Sequence, residues 1–339
     1  MNLNKPKVSI IIPCRNEVKY IAKNIDSILS QNYTGEIEVL VVDGFSDDGT
    51  RDLIKKYDHA LVKLIDNPNK FTPDALNIGV DAAEGDIFII LGGHAYLEES
   101  FVKLNVEALQ KDKSVGCAGG KIVNIFENET GAIISKAMGS VFGVGNATFR
   151  TGGKTGYVDT VAFGAYYKKV HYEIGKFDED LVRNQDDEYN YKVNKAGYKI
   201  FFNPDITSYY YVRGSIKKLF KQYYQYGYWK VYVNKKHGTI TTVRQLVPML
   251  FVLGLLFGVF ISLLVPLFWW IMLLGVSMYA ALALYFGQKV SDHFTEGLKI
   301  SSVFPILHFS YGSGYLKGIY DFIFIGKKPS QKSKTTSRG

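Results

Sequence analysis

Two acidic stretches, far apart in the chain, carry the side chains best suited to chemistry. The first, Val41-Val42-Asp43-Gly44-Phe45-Ser46-Asp47-Asp48-Gly49-Thr50, places a carboxylate directly after an apolar run. The second is Asn184-Gln185-Asp186-Asp187-Glu188. Between them a histidine directly follows two glycines, Gly92-Gly93-His94. Carboxylates and an imidazole at the ends of apolar runs suit a site for a nucleotide and a divalent metal. Downstream, Leu246 to Phe286 carries no charge. At about 40 residues it is twice the ~20 that one membrane crossing needs. An enzyme that moves a group from a water-soluble nucleotide to a lipid-borne acceptor needs both features.

The elements that position these residues follow from periodicity. Val8–Pro13, Glu38–Val42, Leu61–Ile65 and Asp86–Leu91 read as strands. Helices are expected over Glu17–Gln31, with Ile21, Ile25, Ile28 and Leu29 at helical spacing, over Asp47–Tyr57, and over Pro73–Ala83, where proline suits a first turn. This alternation predicts an α/β fold, a mostly parallel sheet with helices on both faces. In such sheets ligands sit beyond the carboxyl ends of the strands, where Asn16, Asp43 and Gly92–His94 fall. The glycine-rich stretch from Ser114 to Tyr167 reads as short strands and loops. Asp186–Lys195 reads as a helix closed by Gly197, and Lys199–Phe202 as a strand.

The motifs, in this order and spacing, resemble the GT-A-fold family 2 glycosyltransferases, of the succinoglycan-biosynthesis type that extends lipid-linked sugars. The resemblance runs from about residue 7 to 235. It rests on Ile12-Pro13-Cys14-Arg15-Asn16-Glu17, Asp43–Thr50, Ala75-Leu76-Asn77-Ile78-Gly79, Gly85-Asp86, His94-Ala95-Tyr96, Asp159–Gly164, Gly175–Glu179 and Arg183–Glu188. It implies that Asp43 bonds the uracil and ribose, that Pro13, Asn16 and Glu17 line the same pocket, and that Asn77 adds a nucleotide contact. It implies that Asp186 is the catalytic base, with Gln185 where the family usually has Glu. Gln185, Glu188, Gln222 and Trp229 are expected on the acceptor side. Asp48 reads better as a turn acid with no ligand, and Asp43 has a competing reading as a turn former before Gly44.

One departure stands out. The family's metal motif is Asp-x-Asp, or Asp-Ala-His in the most similar subgroup, and here it is Gly92-Gly93-His94. His94 is the expected metal residue, with a loop histidine as the competing reading. A lone imidazole favours Mn²⁺ over Mg²⁺, which prefers oxygen. Gln222–Lys230 lies where processive relatives carry Gln-x-x-Arg-Trp; only Gln222 and Trp229 match, at altered spacing. His308 also recurs in relatives, without an assigned role.

Composition fits this picture. The chain has 339 residues, is 47% hydrophobic and carries a formal charge of +8. No acid occurs between Asp205 and Asp292, while Arg213, Lys217, Lys218, Lys221, Lys230, Lys235, Lys236 and Arg244 do. Basic runs beside apolar segments point to an anionic membrane leaflet rather than to nucleic acid. Cys14 and Cys117 sit in apolar runs and read as buried free thiols; the three Asn-x-Thr sequons carry no weight in a cytoplasmic domain.

The expected organisation is a cytoplasmic GT-A catalytic domain over 1–212 and an interfacial amphipathic region over 213–240. A transmembrane hairpin turning at Pro266 follows over 246–286. Residues 297–326 are read as interfacial or re-entrant, broken by Pro305 and several glycines, and 327–339 as a basic disordered tail. Arg244 and Lys289 flank the hairpin, which places a multi-pass chain in the inner membrane with its catalytic half inside. The expected function is inverting transfer from a UDP-sugar to a polyprenyl-diphosphate-linked saccharide for surface polysaccharide, with other enzymes of that synthesis as expected assembly partners. A processive synthase and a non-catalytic nucleotide-sugar-binding scaffold are the alternatives.

Overall fold

The computed structural model describes residues 5–58 and 60–329; residues 330–339 of the basic tail lie outside them. The elements, in chain order, open with β1 (Val8–Cys14), α1 (Ile21–Leu29), β2 (Ile37–Asp43), α2 (Thr50–Ile54), β3 (Val62–Asp66), α3 (Thr72–Ala82) and β4 (Ile87–Ile90). There follow β5 (Ala95–Leu97), α4 (Phe101–Gln110), β6 (Val115–Ile125), α5 (Glu129–Met138), α6 (Val141–Val144) and α7 (Thr148–Thr151). Next come β7 (Gly156–Val158), β8 (Ala165–Tyr167), α8 (Lys168–Ile174), α9 (Gln185–Lys195) and β9 (Lys199–Tyr211). The last helices are α10 (Ile216–His237), α11 (Val247–Leu264), α12 (Phe268–Lys289) and α13 (Phe294–Gly318), which runs into a π-turn over Ile319–Phe324. The chain divides into two compact units, 1–124 with 152–211, and 125–151 with 212–339.

The first unit is built on one sheet in the order β3-β2-β1-β4-β8-β6-β9-β5, with β7 paired to β9. The β3-β2-β1-β4 part is parallel, as β-branched runs buried on both faces favour. The expectation of a mostly parallel sheet needs correction: β8 runs antiparallel to β4 and β6, and β5 and β7 antiparallel to β9. Val8, Ile10, Ile12, Val39, Val41, Ile87 and Ile89 are fully buried and form the centre of the core.

The glycine-rich stretch read as short strands and loops contains an eleven-residue strand, β6, and a ten-residue helix, α5. The glycines of β6 reflect close packing. A Cβ on Gly120 would lie 2.0 Å from the Ile206 carbonyl, and one on Gly116 would lie 2.7 Å from the Tyr198 side chain.

In the second unit, the segments Val243–Leu264 and Phe268–Lys289 are each long and apolar enough to cross a bilayer. Pro266 lies in the turn between them, where the sequence placed it. The break expected at Pro305 is absent: α13 is continuous through it. Helix α13 packs along α10 through glycine. A Cβ on Gly227 would meet the Tyr311 carbonyl at 2.0 Å, and one on Gly314 the Tyr224 carbonyl at 2.0 Å. Such small-residue contacts let helix backbones approach closely.

Candidate active site

Strand register brings the first half of the site together. Cys14 pairs with Asp43 across β1 and β2, so the loop after β1 runs beside the loop after β2. Ile11 pairs with Ile90 across β1 and β4, which sets Gly92–His94 on the other side of the loop after β1. Hydrogen bonds then fasten the loops. The Asn16 N–H donates to Ser46 Oγ at 2.8 Å, and the Asp47 N–H donates to Asn16 Oδ1 at 3.1 Å. The Glu17 N–H donates to Thr50 Oγ1 at 2.9 Å.

Asp43 is fully buried at the end of β2. It accepts from the Ser46 N–H at 2.9 Å, from the Ser46 hydroxyl, and from Arg51 Nη1 at 2.8 Å. Arg51 also reaches Asp66 at 2.8 Å. The two carboxylates hold the Arg51 guanidinium charged. A buried carboxylate with this partner stays a fixed acceptor at the strand end. Asp48 is the turn acid its position implied: it accepts from the Thr50 N–H at 3.0 Å, from the Thr50 hydroxyl, and from the Val18 N–H at 3.1 Å. Burial opposes its charge, but these bonds outweigh burial and hold the carboxyl below its usual range.

His94 faces Glu17: its Nδ1 lies 3.2 Å from Glu17 Oε1. The Tyr210 ring meets the imidazole edge-on at a centroid distance of 4.8 Å. The loop carrying His94 is pinned from α1, where the buried Asn24 amide donates to the carbonyls of Gly92 at 3.0 Å and Ala95 at 2.8 Å. Among the described residues no group of three or more His, Cys, Asp or Glu is arranged to hold a metal ion. A cation here would rest on one or two side chains and on oxygens of its substrate.

Asp186 lies in the first turn of α9 and is exposed, whereas Gln185 and Glu188 beside it are buried. The buried Asn190, one turn on, ties α9 to the sheet. Its amide donates to Thr160 Oγ1 and the Val161 carbonyl, both at 2.8 Å, and its oxygen accepts from the Tyr166 hydroxyl at 2.8 Å. Tyr166 is on β8, paired with β4, and the Ile90 N–H donates to the Gly164 carbonyl just before β8. Phe163, between Val161 and Gly164, lies beside Gly92, where an added Cβ would come 3.4 Å from its ring. This chain of contacts links the start of α9 to the carboxyl end of β4. Burial pushes the Tyr166 phenol well up, with Cys117 and then Asp186 adding to it, so Asp186 is within electrostatic reach of that ring. Asn16, Phe45, Phe163 and Asn184 adopt positive φ in these loops. Such backbone conformations concentrate at functional sites.

Other expected site residues have different occupations. The Asn77 amide donates to the Phe177 carbonyl and Glu179 Oε1, both at 3.0 Å, and its oxygen accepts from the Phe177 N–H at 2.9 Å. These bonds clamp the loop of Phe177 and Glu179. Gln185 donates to the Leu181 carbonyl at 3.0 Å. Gln222 is buried and donates to the Tyr226 hydroxyl at 2.7 Å. Trp229 is 2% exposed, packed against Tyr228, Tyr232 and Phe322. Gln185, Glu188, Gln222 and Trp229, expected on the acceptor side, are all buried. Pro13 is half-buried and pairs with Val42 at the end of β1. Asn24, Arg51 and Asn190 carry positioning roles that sequence reasoning missed. Asn24 had a signal, a polar residue on the apolar face of α1; Arg51 had another, a lone cation among acids.

Comparison with known proteins agrees with this geometry. Residues 9–175 match the family described as Glycosyl transferase family 2. The chain is 39% identical over 230 residues to the dolichyl N-acetyl-alpha-D-glucosaminyl phosphate 3-beta-D-2,3-diacetamido-2,3-dideoxy-beta-D-glucuronosyltransferase of Methanococcus voltae, covering 65% of this chain and 71% of that one. It is 26% identical over 322 residues to the succinoglycan biosynthesis protein ExoA of Rhizobium meliloti, covering 92% and 95%. Among solved structures, the mannosyltransferase PcManGT of Pyrobaculum calidifontis, in complex with GDP-Man and Mn2+, superposes with a TM-score of 0.63 at 18% identity, over 94% of this chain and 88% of that one. That likeness shows the fold. With a GT-A-type sheet, a buried carboxylate ending β2, an exposed one opening α9, and a relative this similar over most of its length, the chain belongs to glycosyl transferase family 2, and it is a glycosyltransferase.

Proposed function

We propose that this glycosyltransferase moves a sugar from a UDP-sugar to a saccharide linked to a polyprenyl phosphate or diphosphate, with inversion, for surface polysaccharide. Both named relatives support this reading, one by its dolichyl-phosphate-linked acceptor and its beta linkage, the other by its part in succinoglycan synthesis. The two bilayer-length helices would keep the enzyme where such an acceptor lies, and the cations at their shared end, Arg244 and Lys289, favour a cytoplasmic active site.

The observation that carries the proposal is the exposed carboxylate of Asp186, held at the start of α9 by Asn190. In the reaction Asp186 takes the proton of the acceptor hydroxyl while that oxygen bonds to the anomeric carbon. The bond from that carbon to the diphosphate oxygen breaks on the opposite face, and its electron pair leaves with the nucleoside diphosphate. Base assistance of this kind is worth about 10²–10⁴ in rate. Asp43 and the loop of Asn16 would receive the nucleotide. The imidazole of His94, held against Glu17, fits a divalent cation that accepts nitrogen beside its substrate's oxygens, Mn²⁺ more than Mg²⁺. When bound, such an ion supplies positive charge against the diphosphate.

UDP release in detergent micelles with a lipid-linked acceptor tests the assignment. The native chain is expected to turn over, and Asp186→Asn to lose about 10²–10⁴ in kcat with its fold intact. Undiminished release from Asp186→Asn would refute the base assignment. Family membership disfavours a scaffold without turnover. A single short hairpin among the described residues gives no support to a polymer-exporting synthase.

A further inference from the structure

The contact between Glu17 and His94 explains how a site lacking the carboxylate at position 92 can still present a competent metal ligand. We infer that Glu17 is a positioning residue for the cation: its carboxylate holds the Nδ1–H of His94 and turns Nε2 into the ligating atom. This rests on the reading of the site as one for a nucleoside diphosphate and a divalent cation.

The argument is one of hydrogen-bond inventory. A carboxylate only accepts, so with Glu17 in that form the imidazole nitrogen 3.2 Å from its Oε1 is the donor of the pair. That nitrogen is Nδ1, and any ligand role then falls to Nε2. A histidine that donates its second ring N–H to a carboxylate is fixed in tautomer and orientation, and is the more basic for it. The carboxylate also contributes a negative charge near the site. The residue after β4 where the family keeps its first aspartate is Gly92, which brings none.

The surroundings are built for this contact. A Cβ on Gly93 would come within 3.0 Å of Glu17 Cγ, so a glycine is what lets the Glu17 side chain lie against the loop. The Glu17 backbone is fixed by Thr50, the His94 loop by Asn24, and the imidazole by Tyr210. Glu17 is buried, with a side-chain exposure of 8% against 17% for His94. The contact sets the carboxylate against the imidazole as a support for it.

The test is Mn²⁺ binding, read by the loss of the free-ion electron paramagnetic resonance signal. It uses the intact chain in micelles, with UDP present, and UDP affinity is measured separately in chelator. Glu17→Gln is expected to weaken Mn²⁺ binding by about 10–100-fold, well beyond any change in metal-free UDP binding. His94→Ala is expected to lose the Mn²⁺ site. Adding Gly92→Asp to the Glu17→Gln chain is expected to recover Mn²⁺ binding, because it restores a direct carboxylate ligand. A purely structural role for Glu17 would not be rescued in this way. Unchanged Mn²⁺ affinity in Glu17→Gln would overturn the inference. So would a fall in metal-free UDP affinity alone, which would make Glu17 a direct nucleotide contact. A native chain that binds no UDP at all would instead refute the functional reading on which the inference rests.

Discussion

Asn190 offers the sharpest test of how the fold holds its catalytic carboxylate. It is fully buried and answers four groups at once: the Tyr166 hydroxyl, the Val161 carbonyl, the Thr160 hydroxyl and, at 3.8 Å, the weakly donating Cys117 thiol. Replacing it with leucine keeps the volume and removes every partner. Thr160 is half-exposed and can turn to water. The Tyr166 hydroxyl and the Val161 carbonyl cannot, and each orphaned buried group costs about 1–3 kcal/mol, so the local loss is about 2–6 kcal/mol. That corresponds to a fall in protection of the α9 amides of roughly 30-fold or more. A loosened α9 also misplaces Asp186, and a displacement of about 1 Å in a reacting group costs on the order of 10² in rate. The assay is amide hydrogen exchange over 185–195 in micelles, paired with UDP-release kinetics. Asn190→Leu should lose both protection and kcat, whereas Asp186→Asn should lose kcat alone. Native protection and native kcat in Asn190→Leu would refute the claim that this network positions the base.

Other consequences are equally direct. His171, packed against Phe88 and Phe177 with its Nδ1 2.7 Å from the Tyr189 hydroxyl, is depressed to about 4, chiefly by burial and further by Lys192, Lys176 and Lys168, against an opposing pull from Asp81. The unfolded chain therefore binds a proton there that the folded one refuses. Stability of the first unit should be intact above the ordinary value of 6.5 and fall as the pH drops from there toward 4, by about 2 kcal/mol after allowance for screening. Denaturation midpoints against pH should show this slope, and His171→Gln should flatten it. Burial pushes the thiols of Cys14 and Cys117 up, so neither should react with iodoacetamide at neutral pH until the chain is unfolded, as mass spectrometry would show. Gly227→Leu should force α10 and α13 apart, since even a Cβ there meets a backbone carbonyl; a fall in the melting temperature of the detergent-solubilised chain is the readout.

How much of this was legible in the sequence depends on what each residue was answering to. The parallel strands were readable because Val8–Pro13 and Glu38–Val42 are buried on both faces and need nothing but β-branched bulk. The antiparallel half was not, because its glycines answer to neighbours distant in sequence: Gly120 to the Ile206 carbonyl, Gly116 to Tyr198. Read locally they look like loop residues. The same holds at the site. Asp43, Asp186 and His94 were singled out because the motifs around them, in their order and spacing, resemble those of the family. The burial of Trp229 was not legible. A helix rich in Tyr, Trp and Lys has the composition of an interfacial helix. Which face is covered depends on α13, whose Gly312 and Gly314 were read as breaks in a helix and are instead places where other backbone comes close. The contact between Glu17 and His94 belongs to the same class. Neither residue predicts the other, yet the register of β1 against β4 leaves them adjacent, and the glycine between the strand and the imidazole is the local trace of that approach. A lost ligand in a sequence motif is thus weak evidence for a lost function until the residues folded against it are known.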